Sequence, residues 1–459
     1  MLAAGAGSHA GFPRILAPET AQVVYLIQQL NDYAAAAPAR QIPLQEMNLR
    51  HLFQWAHAHS PYWRERLAHG AATGFGNPLQ LLAGLPVLRR KDLQEHGEAL
   101  SCVHALPAGS CVPAYSTGST GQPIRCWKER APFQLRFLAF AALTSQWHRL
   151  DRSKDMLRIS ARVKDGQQAS WGAPDAWFAP TGTLHLAGAA GRDVHELYEL
   201  VRRKRPAYIT ATASVAHALA RHALEHDNAP ARIDAFLSTG DTVTGAMRQD
   251  CRTAFGARVI DRYTCEEVGW LAQQCPKHEH LHVYSANVLI EIVDAQGQPC
   301  PVGVPGRVLV TALHSQAMPL IRYEIGDIAA WGPACDCGSH LPVIARIWGR
   351  DNQTVRTPDG STRYIVLVAE EFMAIAPLRD MRLRYYRDPL ARLEVACDTP
   401  LEPAQIRQLV GKVRDLLGFD CAVDVIEGRM IDWGATDKRL GFAVVDGPAP
   451  ALPAAVPRA

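Results

Sequence analysis

Apolar positions recur at helical spacing through the first part of the chain, then give way to short runs punctuated by Gly and Pro. Leu52, Trp55 and Ala56 share one helix face, and Ser60-Pro61 ends that helix before another begins. Residues 26–50 read as helical stretches separated by a Pro-bearing loop. Residues 133–147, FQLRFLAFAALTSQW, form a strongly apolar helix whose Phe and Leu side chains suit a core. Strands and amphipathic helices then alternate: a strand-like run at 155–162, a helix at 194–204, a strand at 207–212, a helix at 214–226 and a strand at 233–240. That alternation argues for a mostly parallel sheet covered by helices. Residues 288–293 and 306–312 read as strands of a smaller β-rich segment. A new unit begins near 351, with a strand pair within 381–397, a helix at 403–417 and a strand at 422–427, the order of a small α+β domain. The expected fold class is therefore α/β: a large N-terminal domain of mixed sheets and helices, followed by a small α+β domain. The Ala/Gly-rich start and the Pro/Ala-rich end read as frayed tails.

Composition changes this picture little. The chain has 459 residues, 48% apolar and 20% charged, as an ordinary globular protein does. A net charge of +3 gives no basic surface for nucleic acid. No apolar run reaches membrane-spanning length and the first residues lack a signal-peptide design, so a cytoplasmic location is expected. The cysteines number 11, odd and dispersed, which is not a disulfide framework. Two of them stand apart in the turn-like string CDCGSH, Cys335 and Cys337. Cys275 opens another string, CPKHEHLH, which offers His278, His280 and His282. Such pairs, distant in sequence, can close a structural Cys₃His zinc site, with His282 or His280 as the fourth ligand.

Residues 115–123 read YSTGSTGQP, a hydroxyl-glycine loop between two extended segments. Backbone N–H groups and hydroxyls of such a loop can converge on an anion. It lacks the G-x-x-x-x-G-K-[ST] order of the nucleotide loop that opens a helix.

The loop resembles the phosphate-binding loop of adenylate-forming enzymes, and further landmarks follow in the same order. Residues 49–70, with S-P-Y-W-R inside, resemble the N-terminal helix of phenylacetate–CoA ligase-like proteins, and LPVLRRKDL at 85–93 matches the next landmark. DRYTCEEVG at 261–269 resembles the adenine segment, with Tyr263 as the ring over adenine and Glu267 as the Mg²⁺ carboxylate. Thr264 and Glu266 depart from the usual Gly and hydroxyl residue. RYEIGD at 322–327 matches R-Y-x-x-G-D, where Asp327 would accept hydrogen bonds from ribose. GRDN at 349–352 resembles the inter-domain hinge, with Arg350 reaching a ribose or phosphate oxygen. TDKRLGF at 436–442 stands where the family has Gly-Lys; Asp437 replaces the Gly, and Lys438 is the candidate for charge stabilisation in the first step. Some phenylacetate–CoA ligase-like proteins also carry a zinc in a Cys…His segment placed like 275–282.

The resemblance implies a flexible start at 1–18, a large adenylate-forming domain at 19–349 with zinc-bearing segments 275–282 and 335–337, a small mobile domain at 350–446, and a tail at 447–459. It implies an AMP-forming ligase that uses ATP, Mg²⁺ and coenzyme A on an aromatic carboxylic acid. Ser116, Thr117, Gly118, Ser119, Thr120 and Gly121 would hold the phosphates, with Thr117, Glu267 and Lys438 catalytic. Phe137, Phe140, Ser238, Gly240 and Tyr263 would line the acid pocket. An acyl carrier protein or an amine is the alternative acceptor, and a homodimer is an allowed assembly. From another class, a non-catalytic adenylate-binding protein is the rival reading.

Overall fold

The computed structural model describes residues 17–116, 124–189, 192–226, 231–350, 354–358, 362–365, 367, 369–386, 390–431, 442–445, 447 and 449. The chain divides into two compact units. The first comprises Met1–Glu291, Leu309–Ile325 and Trp331–Ala345; the second comprises Ile292–Val308, Gly326–Ala330 and Arg346–Ala459.

Helices open the first unit. The helix Pro38–His59 carries Pro43 in its interior, where the sequence suggested a loop. An interior proline costs about 3 kcal/mol; here the buried stripe of Leu49, Leu52, Phe53 and Ala56 offsets it. The S-P-Y-W string is a helix start. Ser60 Oγ accepts from the Trp63 N–H at 3.3 Å, Pro61 takes the first position, and the fully buried Trp63 donates its indole N–H to the Pro319 carbonyl at 3.0 Å.

Strands β1 (Cys111–Ser116) and β2 (Ile124–Glu129) form an antiparallel hairpin closed by the pair Ser116–Ile124. The main sheet follows: β3 (Met156–Ser160), β4 (Gly166–Gln168), β5 (Leu184–Gly188), β6 (Tyr208–Ala211), β7 (Ala235–Thr239), β8 (Arg258–Cys265), β9 (Gly269–Gln274) and β10 (Leu281–Val283). Strands β5, β3, β6, β7 and β8 run parallel in that spatial order; β4 at one end runs antiparallel, as do β9 and β10 beyond β8, and β10 pairs on with the strand Val343–Arg350. The sequence pattern anticipated this parallel run, because β5, β6 and β7 are each followed by a helix.

Alternation along the strands sets the two faces. Leu157, Ile159, Ile209, Phe236 and Val259 pack under the helices Val194–Lys204, Ala213–His226 and Gly245–Phe255. Met156, Leu184, Tyr208, Leu237 and Ile260 face the other way. The first of these helices is capped by Asp193, whose carboxylate accepts from the Glu196 N–H at 2.8 Å. The third begins at Thr244 and stops at Gly256, which adopts φ 67°.

In the second unit a four-stranded sheet pairs Leu378–Tyr386 with Leu390–Cys397, flanked in parallel by Phe442–Val445 and Ala422–Gly428. The helix Pro403–Leu417 contributes Leu409, Val410, Val413 and Leu417 to this unit's core.

Candidate functional site

The segment DRYTCEE straddles the end of β8. Tyr263 is buried on that strand opposite Ala272, and the register slips between Tyr263 and Thr264. Such an irregularity re-aims the residues that follow. The two glutamates then part ways. Glu266 is exposed and lies 3.7 Å from Arg162, a surface ion pair of small value. Glu267 turns inward, 8% exposed, and accepts from the Tyr323 hydroxyl at 3.4 Å. Among the described residues Glu267 makes no ion pair with a basic side chain. A buried carboxylate bonded to a neutral phenol and not ion-paired can hold a counter-charge, and a hard divalent cation with oxygen ligands fits that donor. Sequence reasoning matched Tyr323 as the tyrosine of RYEIGD but gave it no role; burial holds its hydroxyl well above the usual phenol range, so it stays a donor. Nearby Cys126 is pushed up to about 12 by burial and is therefore no nucleophile.

Arg322, the first residue of RYEIGD, is a clasp. Its guanidinium meets both carboxylate oxygens of Glu291 at 3.1 Å and donates to the carbonyls of Ala83 and Leu85 at 3.0 and 2.5 Å. Its backbone takes φ 51°, an unfavourable region for an arginine, and its N–H donates to Thr311 Oγ1 at 3.0 Å. Its carbonyl accepts from the Leu88 N–H, which ties the LPVLRR landmark to this motif.

Asp327 is half-buried on the strand Tyr323–Trp331, within the second unit. Ser116 ends β1 and Arg350 ends the strand Val343–Arg350; their side chains lie outside the described residues. Thr117, Gly118, Ser119, Thr120, Gly121 and Lys438 also lie outside them.

Three candidates sit elsewhere than the sequence suggested. Phe140 is 2% exposed and packs on Tyr284 at 4.2 Å, so it belongs to the core of the helix Arg130–Trp147 and not to a pocket wall. Ser238 is fully buried on the helix-covered face of β7, because Leu237 and Thr239 take the opposite face. His280 stacks on His278 at 5.1 Å and stays outside the metal-type donor group. By contrast Phe137 is exposed, with its edge on Trp270 at 6.1 Å, and Gly240 uses φ 89° at the end of β7.

The donor group consists of Cys275, His282, Cys335 and Cys337, whose ligand atoms all lie within 4.8 Å of one another. Cys275 Sγ and Cys335 Sγ are 3.7 Å apart, and Cys337 Sγ is 3.2 Å from His282 Nε2. The sulfur separation matches the edge of about 3.8 Å expected for a tetrahedral zinc with bonds of about 2.3 Å. His282 Nδ1 lies 3.3 Å from the Leu341 carbonyl, which fixes the tautomer that leaves Nε2 as the ligand atom. The donor set therefore fits a closed zinc site.

No protein-family model matches the chain. It is 24% identical over 343 residues to a phenylacetate–coenzyme A ligase of Thermus thermophilus, covering 67% of this chain and 69% of that protein. It is 19% identical over 329 residues to protein CapK of Staphylococcus aureus. The crystal structure of a 2-hydroxyisobutyryl-CoA ligase in the postadenylation state, in complex with R3-HIB-AMP, superposes with a TM-score of 0.66 at 20% identity, over 90% of this chain and 91% of that one. The open conformation of that ligase, with 2-HIB-AMP and CoA, gives 0.60. In sequence the chain is thus similar to a phenylacetate–coenzyme A ligase, and in fold to a 2-hydroxyisobutyryl-CoA ligase.

Proposed function

We propose that the protein is an AMP-forming carboxylate–CoA ligase acting on an aromatic acid. The observation that carries this reading is the buried Glu267, beside Tyr263 and held by the Tyr323 hydroxyl, at the end of a parallel strand in a ligase fold. In the first step an oxygen of the acid attacks the α-phosphorus of ATP; the bond to the β-phosphate oxygen breaks and pyrophosphate leaves. In the second, the thiol of coenzyme A loses its proton and attacks the acyl carbon, and AMP leaves. A Mg²⁺ held by Glu267 would offset phosphate charge. Tyr263 would cover adenine, Asp327 would accept from ribose, and Arg350, Lys438 and residues 116–121 would meet phosphate oxygens. The exposed ring of Phe137, packed against the buried Trp270, supports an aromatic acid, since it offers an apolar surface. No protein nucleophile is required.

The test is acid-dependent exchange of labelled pyrophosphate into ATP across a panel of aromatic acids, followed by thioester formation with coenzyme A. Exchange together with thioester is the expected result. Absence of exchange with every acid, despite ATP binding, would refute the ligase reading. Exchange without thioester would redirect the second step to a carrier protein or an amine.

The zinc is proposed to be structural, because four protein ligands leave no open position. Cys337→Ser should reduce zinc from about one per chain to below a tenth, read by elemental analysis. It should also lower the melting temperature by several degrees, because binding to the native state alone is stabilising. Unchanged zinc content would remove the assignment.

A further inference from the structure

The sheet face that carries Leu237 and Ile260 also carries two arginines with little to hold them. Arg158 on β3 pairs in register with Thr210, Thr210 with Leu237, and Leu237 with Ile260; Arg262 follows two residues later on β8, on the same face. The two arginines thus stand three strand spacings apart across the sheet, about 14 Å, and about 7 Å apart along it, with Thr210 and Leu237 as the floor between them. Arg158 is exposed and Arg262 half-buried, so both can be reached from solvent. Arg262 donates to the Ser238 carbonyl at 3.2 Å and to the Leu237 carbonyl at 2.8 Å, and lies 5.8 Å over the Trp270 ring. Those bonds use two of the five N–H groups of a guanidinium. Arg158 makes no hydrogen bond and no ion pair among the described residues.

Surrounding protein lowers both guanidinium pKa values, that of Arg262 to about 10, and the charge of Arg158 contributes to the lowering at Arg262. The nearest acid in the sequence, Asp261, lies on the opposite face by strand alternation, where Arg248 is its leading charge partner. On their own face the two cations meet no acid among the described ion pairs, so the like charge of Arg158 bears on the half-buried Arg262, which Asp261 behind the strand opposes. A ligand anion would offset that like charge.

The position says which ligand. Trp270 has both Arg262, at 5.8 Å, and the exposed Phe137, at 6.1 Å, as ring neighbours, so Arg262 adjoins the aromatic side chain assigned above to the acid. We propose that Arg158 and Arg262 recognise a second carboxylate on the substrate, which makes the preferred acid an aromatic dicarboxylate. This rests on the ligase reading and narrows its substrate class. A planar fork matches a carboxylate bidentately, which an ammonium does not.

The experiment compares pyrophosphate exchange with carboxyphenylacetates and benzenedicarboxylates against the matching mono-carboxamides, in the wild type, Arg158→Met, Arg158→Lys and Arg262→Met. In the wild type, kcat/KM for the diacid should exceed that for its mono-carboxamide by on the order of 100-fold. Arg158→Met should bring this ratio below about 3, and Arg158→Lys should restore part of it. A diacid should also raise the melting temperature of the wild type and not of Arg158→Met. Exchange with monoacids at a ratio unaffected by any variant would overturn the inference and leave the ligase reading standing. A higher KM for ATP in Arg158→Met at constant ratio would likewise overturn it, assigning the arginines to phosphate. No exchange with any acid would remove both.

Discussion

Glu267→Gln should slow acid-dependent pyrophosphate exchange by about 100- to 1,000-fold, the scale of losing one charge-stabilising group in a closed site. The amide keeps the size of the side chain and can still accept from the Tyr323 hydroxyl, now at 3.4 Å from the carboxylate. What it loses is the negative charge and its affinity for a hard cation. The Mg²⁺ concentration for half-maximal exchange should therefore rise along with the drop in rate. Thermal stability without ligand should hold or increase, because burying a carboxylate costs more than burying an amide. Exchange within a few-fold of wild type would show that Glu267 does not serve the triphosphate. Tyr323→Phe should fall between the two, since it leaves the charge and removes only its donor.

The second large effect is on stability. Arg322→Met should destabilise the protein by about 3–5 kcal/mol, because it strands the buried Glu291 without its fork and frees the Ala83 and Leu85 carbonyls. Burial already raises the Glu291 pKa, with Arg322 as the leading opposing influence. In the variant the folded-state pKa should therefore sit further above the unfolded value. The sign follows from linkage: the variant loses stability as pH rises from the ordinary glutamate value through that raised one, and regains it on acidification. Denaturant melts at neutral and mildly acidic pH should show the deficit shrinking at the lower pH. A deficit below about 1 kcal/mol at neutral pH would mean that the clasp is dispensable.

The outcomes for individual residues show how far local sequence reached. Periodicity identified the helices Val194–Lys204 and Pro403–Leu417, each with a one-sided apolar stripe. It also anticipated the parallel run from β5 to β8, because alternating strands and helices can bury their apolar faces in few other ways. Pro43 misled, since the cost of an interior proline is settled by packing that local sequence does not contain. Phe140 misled for a related reason. Along an all-apolar helix, sequence cannot distinguish the ring facing the core from Phe137, which faces out.

At the candidate site, the motifs that resemble those of adenylate-forming enzymes supplied Tyr263, Glu267 and Asp327 as residues of interest, and the Cys and His strings supplied the four zinc-type donors and one too many. Residue types dictate this much: a thiolate or imidazole is a ligand and a carboxylate an acceptor wherever it stands. Tertiary structure decided the rest. It turned Glu267 inward and Glu266 outward across one slip in register. It chose His282 over His280 by bringing Cys335 and Cys337 to one and not the other. It made Arg322 a clasp on Glu291, and it set Arg158 and Arg262 on one face although β4, β5, β6 and β7 lie between their strands in the chain. The reason is common to all four. Burial, partner and facing depend on contacts between residues far apart in sequence, and no pattern of neighbours along the chain encodes them.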